Sequence, residues 1–159
     1  AAAGACVLPT ECEGCGVVTR PAGSCASRDV KSQPMKRVLY VGQDPETVDL
    51  SDPSLPPGMD AAKVAAGIAL AENALKARGW QADSCMISPD DAGIAQLSQA
   101  LAASRYDCVV IGGGLRIPPK ALPLFERVVN AVHEAAPQAR IAFNTEPGDT
   151  AEAAVRWLD

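Results

Sequence analysis

Three consecutive glycines and an arginine, in Gly112-Gly113-Gly114-Leu115-Arg116, form the stretch of this chain best suited to chemistry. Successive glycine N–H groups can cradle an anion, and a nearby guanidinium can neutralise it. The stretch is not a P-loop, because no Lys-Ser/Thr pair follows the glycines. Nor does it complete the dinucleotide fingerprint G-x-G-x-x-G, since Ile117 or a neighbour stands where the third glycine belongs. Three glycines also let a chain turn tightly after a strand. Ligand contact and plain turn chemistry are both open readings.

A second group lies near Gly42-Gln43-Asp44, where Asp44, Glu46, Asp49 and Asp52 make a loop acidic. Carboxylates beside a crevice could hold Mg²⁺ or act as acid and base. The competing reading is a solvated loop, with Asp44-Pro45 and Asp52-Pro53 favouring turns. Asn144-Thr145 offers further polar side chains. His133 is the only histidine and falls on a helix away from the strand ends, which argues against a Ser-His-Asp or Cys-His pair. Cys85 and Cys108 fall in strands, where reduced cysteine is a small apolar core residue.

The other four cysteines, Cys6, Cys12, Cys15 and Cys25, precede Met35. Cys12-Glu13-Gly14-Cys15 is a C-x-x-C with the glycines a metal knuckle needs, so four thiolates could close a tetrahedral zinc site. The spacing lacks a second C-x-x-C and matches no iron–sulfur pattern. An unstructured leader, a zinc site, and disulfide or redox work are the three readings of this segment. No other cofactor is expected.

Composition changes at Met35. Residues 1–34 carry three basic and three acidic groups and no useful period, whereas MKRVLYVG has the form of a protein start running into a core strand. Residues 35–159 therefore read as the domain. Residues 1–34 read as a Cys-containing leader or tail, vector-derived or translated from upstream, outside the fold.

Within the domain, Val38–Val41 is a short apolar run closed by Gly42, the first predicted strand. Residues 43–59 contain Pro45, Pro53, Pro56 and Pro57 and read as a long loop, of a length common in lids and mobile segments. Asp60 then caps a helix with Val64, Ile68, Ala71 and Leu75 on one face, ended by Gly79. A second strand is predicted over Ala82–Ile87. Pro89-Asp90-Asp91 opens a second helix carrying Ile94, Leu97 and Leu101. Tyr106–Ile111 is the clearest strand, an apolar run of the kind buried on both faces. Leu122, Phe125, Val129 and Val132 mark a third helix stopped before Pro137, Arg140–Phe143 a fourth strand, and Asp149 or Thr150 caps a last helix. Trp80 and Trp157 are expected to cover helix ends.

This β-α-β-α-β-α-β-α order predicts an α/β three-layer αβα sandwich, with a four-stranded parallel sheet in the order 2-1-3-4, flavodoxin-like or Rossmann-like. The topological switch point then lies between strands one and three. Its lips are Gly42, Gln43 and Asp44 on one side and Gly112, Gly113, Gly114 and Arg116 on the other, with Asn144 and Thr145 one strand further on.

Bulk properties narrow the function. The net charge of −5, a pI near 4.9, and only 4% aromatic residues exclude the basic, aromatic-lined surface of a nucleic-acid binder. No apolar stretch reaches the roughly 18 residues of a membrane span, and the N-terminus lacks the pattern of a secretory signal, so the cytoplasm is the expected compartment.

From Met35 on, through VGQDPETVDLSDPSLPPGM, YDCVVIGGGLRIPP and FNTEPGDTAEAAVRWL, the chain resembles a group of short bacterial α/β proteins of unassigned function. That resemblance implies a free-standing flavodoxin-like domain and no catalytic assignment. The layout is also similar to a response-regulator receiver domain, but the chemistry departs from it. Only Asp44 stands where an acidic pair is needed, Gly112 replaces the phosphate-accepting Asp after strand three, and the late Lys and fifth strand have no counterpart. Flavodoxins hold FMN phosphate on a Ser/Thr-rich loop after strand one, which QDPETVD does not supply.

The expectation is a non-enzymatic binding or regulatory module that meets a small anionic ligand or a protein partner at its strand-end face. The opposing expectation is an enzyme acting on a small phosphorylated or carboxylated substrate in the same crevice. Exposed sheet edges make a homodimer plausible.

Overall fold

Apolar residues of both parities decide where the sheet sits. In β1 (Arg37–Gln43), Val38, Leu39, Tyr40 and Val41 are all buried, so neither face of the strand meets water. A strand of that kind has to run through the middle of a covered sheet. The computed structural model, which describes residues 35–158, places it there. β1 pairs in parallel with β2 (Gln81–Ile87) and with β3 (Cys108–Ile111), and β3 pairs in parallel with β4 (Arg140–Phe143), in the order β2-β1-β3-β4. The predicted three-layer α/β architecture and its strand order are thus the observed ones.

Each face of the sheet has its own core. Leu39, Val41, Val109 and Ile111 point toward α2 (Asp91–Ala103) and α3 (Leu122–Ala135), meeting Leu97, Leu101, Val128 and Val132. Val38, Tyr40, Cys108 and Val110 point toward α1 (Ala61–Ala77) and α4 (Thr150–Leu158), meeting Ala71, Leu75, Ala153 and Ala154. Each fully buried Leu, Ile or Val contributes about 1.5–3 kcal/mol relative to exposure. The alanines of the second face let α1 and α4 lie close to the sheet.

Local signals set the helix ends. The Asp60 carboxylate accepts from the Lys63 N–H at 2.8 Å, satisfying an orphan donor of the first turn of α1. Gly79, at φ +77°, turns the chain out just past the helix in the left-handed conformation that glycine adopts without strain. Asp90 caps α2 through the Gly93 N–H at 3.0 Å.

The structure moves several predicted boundaries. β1 runs on to Gln43 because its ladder with β2 continues to the Gln43–Ile87 pair. β3 starts at Cys108; Tyr106 is buried just before it, with the Arg37 guanidinium 5.3 Å from its ring centre. The proline-rich loop holds a 3₁₀ turn at Pro45–Thr47, since Pro45 sits at the first position, where no N–H is needed. The buried stripe of α3 is Val128, Ala131 and Val132, while Leu122, in the first turn, is 55% exposed. Trp80 packs against the α1–α4 core as expected for a residue covering a helix end, but Trp157 is 54% exposed. Among the described residues no helix is long and apolar enough to cross a membrane.

Gly93 shows how tightly α2 enters the fold. A Cβ there would lie 2.0 Å from the Ser88 carbonyl oxygen, whereas one on Gly114 would meet nothing. Gly93→Ala is expected to cost about 2–3 kcal/mol through forced backbone movement. Gly114→Ala should stay within about 0.5 kcal/mol of wild type, and urea denaturation of the two variants tests the contrast.

Candidate functional site

Parallel strands deliver their carboxyl ends to one edge, and the loops leaving β1, β3 and β4 meet there. The floor of this region is built by Asn144, which is 1% exposed. Its Oδ1 accepts from the Gly113 N–H at 2.8 Å, and its Nδ2 donates to Thr150 Oγ1 at 2.7 Å. Thr150 Oγ1 in turn donates to the Pro147 carbonyl at 2.8 Å. The exit of β3, the exit of β4 and the start of α4 are joined through one side chain. Tyr40 lies beside it; burial pushes its phenol above the ordinary value, and a hydrogen bond with Asn144 partly offsets that.

The three glycines have separate physical reasons. The Gly112 N–H donates to the Val41 carbonyl at 2.8 Å, and a Cβ on Gly112 would sit 3.1 Å from Tyr40 Oη. A Cβ on Gly113 would sit 2.9 Å from the Thr145 carbonyl oxygen. Close approach, not a left-handed backbone, is what disfavours a side chain here: at Gly113 the Thr145 backbone would have to shift, and at Gly112 the neighbours would have to give by a few tenths of an ångström. Gly113–Leu115 forms a 3₁₀ turn. Two of the three N–H groups that could cradle an anion are therefore engaged within the protein. The Gly114 N–H has no partner among the described residues.

Above this floor lies a cavity of about 700 Å³, between residues 43–59, the amino-terminal half of α1, residues 112–118 and the turn after β4. Of the residues singled out from sequence, Gly42, Gln43, Gly112, Gly113, Gly114, Asn144 and Thr145 line it. Gln43 braces the loop, its Nε2 donating to the Thr47 carbonyl at 2.9 Å. The Thr145 N–H donates to the Asp149 carboxylate at 3.1 Å. Asp44 and Arg116 are not on the wall. The Asp44 carboxylate caps its own 3₁₀ turn through the Glu46 N–H at 3.0 Å. The Arg116 guanidinium donates to the Asn144 carbonyl at 2.9 Å and lies 5.9 Å from the centre of the Phe143 ring, while its Nε is buried without a partner.

The acidic loop is tied down by its own carboxylates. Asp49 accepts from the Ser51 N–H at 3.0 Å and Asp52 from the Ser54 N–H at 2.9 Å. Lys120 reaches both carboxylates, at 2.9 Å for Asp52. For Asp49 the Lys120 contact comes first and Ser51 second; for Asp52 the order is Ser54, then Lys120. Each carboxyl is held at about 2 against an ordinary 3.8.

Sequence reasoning missed Lys120, which stands out only as the basic residue just after Pro118-Pro119, and Tyr40, hidden in the apolar run of β1. It also missed the apolar wall formed by Val64, Ile68, Leu55 and Ile117. Along the chain Val64 and Ile68 share a helix face with Ala71 and Leu75, so nothing in the sequence separates cavity wall from core there.

Among the described residues no thiol or imidazole joins the site. Cys85 and Cys108 are buried and reduced; burial raises both thiols, that of Cys108 to about 12. His133 is exposed on α3. Among the described residues no group of three or more His, Cys, Asp or Glu is placed to hold a metal ion. The zinc reading of Cys6, Cys12, Cys15 and Cys25, and the leader reading of residues 1–34, lie outside the described residues.

No protein-family model matches this chain, and no curated protein is detectably similar to it in sequence.

Two measurements follow from this geometry. Asn144→Leu strands the Gly113 N–H and the Thr150 hydroxyl in a buried place, and is expected to cost about 2–4 kcal/mol in urea denaturation. Depressed carboxyl values stabilise the folded protein above the ordinary carboxylate range, and that contribution is lost as pH falls through about 2. Wild type should thus be more stable than Lys120→Met by a constant margin from pH 7 to about 5, closing toward pH 2. A margin that persists at pH 2 would mean that Lys120 acts through packing instead.

Proposed function

We propose that this protein is a non-enzymatic binding or regulatory module that takes a small molecule at the carboxyl ends of its strands, beneath the 43–59 loop. The observation that carries this reading is the cavity of about 700 Å³, placed where open α/β sheets hold ligands and of a size ordinary for small-molecule sites. What argues against an enzyme is the state of its polar groups. Asp49 and Asp52 are neutralised by Lys120, and the Asp44 carboxylate is used as a cap. Among the described residues the Cys85 and Cys108 thiols are buried and hold their protons, and His133 is exposed on α3, so no Cys–His pair forms.

Purified protein should be incubated with a metabolite extract, then analysed by native mass spectrometry and hydrogen exchange. The expected result is a bound small molecule recovered chemically unchanged, with added protection confined to residues 43–59 and 112–118. New product masses that grow with time would establish the enzyme reading. Protection mapping to another surface would remove this cavity from the function.

A further inference from the structure

The charges around the cavity say what kind of molecule it would take. Three cationic side chains reach its wall, Lys63, Lys120 and Arg127, and each is already engaged. Lys63 bonds to the Gly58 carbonyl and lies 3.8 Å from Asp60, Lys120 holds Asp49 and Asp52, and Arg127 pairs with Asp91. Arg116 is turned toward Asn144 and Phe143. Of the glycine N–H groups only that of Gly114 is unengaged among the described residues. Among the described residues an entering anion would meet no unengaged cation on the wall, Arg116 lying off it, and would face the exposed Glu146 carboxylate. Stripping an anion of water without a partner is strongly unfavourable.

Gln43, Thr47, Ser54, Asn144 and Thr145 also reach the wall, each already donating a hydrogen bond within the protein, and much of what remains is apolar. Val64 and Ile68 of α1, Leu55 and Met59 of the loop, and Ile117 all line the cavity. Ile117 is 49% exposed, an apolar side chain on the cavity wall with about half of its surface left uncovered by protein.

Building on the small-molecule reading above, we infer that the ligand is an uncharged organic molecule with an apolar body and at most one hydrogen-bond acceptor, the acceptor directed to the Gly114 N–H. This departs from the anionic ligand expected from the glycine–arginine pattern alone.

The test uses the full chain and three probes: Nile red, a neutral apolar dye whose fluorescence reports its surroundings, and inorganic phosphate and citrate as small anions. Nile red should bind saturably with a blue-shifted emission, and neither anion should raise the thermal midpoint. Ile117→Asp and Ile117→Lys should each weaken dye binding at least tenfold. Leu122→Asp, at an exposed position off the wall, should leave it unchanged. Because Ile117 is half exposed, both of its variants are expected to fold, and their thermal midpoints check this.

Stabilisation by phosphate or citrate without dye binding, strengthened in Ile117→Lys, would overturn the neutral-ligand inference and leave the small-molecule reading standing. Dye binding indifferent to Ile117 would place the dye elsewhere and also overturn it. If no probe binds and the metabolite extract yields no ligand, the small-molecule reading itself falls.

Discussion

The amide of Asn144 holds three segments that have no covalent reason to stay together: the turn after β3, the end of β4 and the first residue of α4. It does so at 1% exposure, where hydrogen bonds are strong and an unpaired partner is expensive. Much of the local sequence answers to this one contact. Gly113 has to bring its N–H up to the amide, and the Thr145 carbonyl then crowds the space a Cβ would occupy. Thr150 has to supply a hydroxyl that accepts from Asn144 and donates a hydrogen bond to the Pro147 carbonyl. The Arg116 guanidinium is drawn to the same residue through its backbone carbonyl, and so away from the cavity.

The two faces of the sheet are packed by different means, and this shapes the site. Toward α2 and α3 the core is Leu, Ile and Val, which keep the helices at a distance and fill the space. Toward α1 and α4 it is largely Ala, with Tyr40 and Leu75 as its bulk. On that side Gly67 of α1 comes so near the turn before α4 that a Cβ would lie 2.9 Å from Pro147. The close approach seals one flank of the strand-end region. Val64 and Ile68 of α1 line the cavity and are only partly buried, and Ile68 also packs against the core of this face.

The 43–59 loop owes its order to short-range chemistry. Prolines restrict its backbone, and Asp44, Asp49 and Asp52 each bond to an N–H two residues on, making local turns. Lys120 adds the link to the other side of the cavity. Such a covering can be specific in shape without deep burial, because each turn is closed within a few residues.

The fold class was legible in the sequence because it rests on local, periodic signals. An apolar β1 of both parities, Asp60 and Asp90 as caps, Gly79 as a stop and alternating strand and helix patterns leave few topologies, and the observed strand order is among them. That loops from β1, β3 and β4 would border a common crevice was legible for the same reason, since the carboxyl ends of parallel strands share one edge. What the residues there do was not legible. Arg116 and the three glycines suggest an anion site when read along the chain, yet Asn144, 28 residues after Arg116 and 31 after Gly113, engages both the guanidinium and a glycine N–H. Asp49 and Asp52 read as free carboxylates until Lys120, 71 residues from Asp49, is brought against them. Sequence determines which groups a chain carries and which elements it can form; tertiary structure alone decided which of those groups remain unpaired, because their partners come from distant segments that meet only when the sheet is assembled.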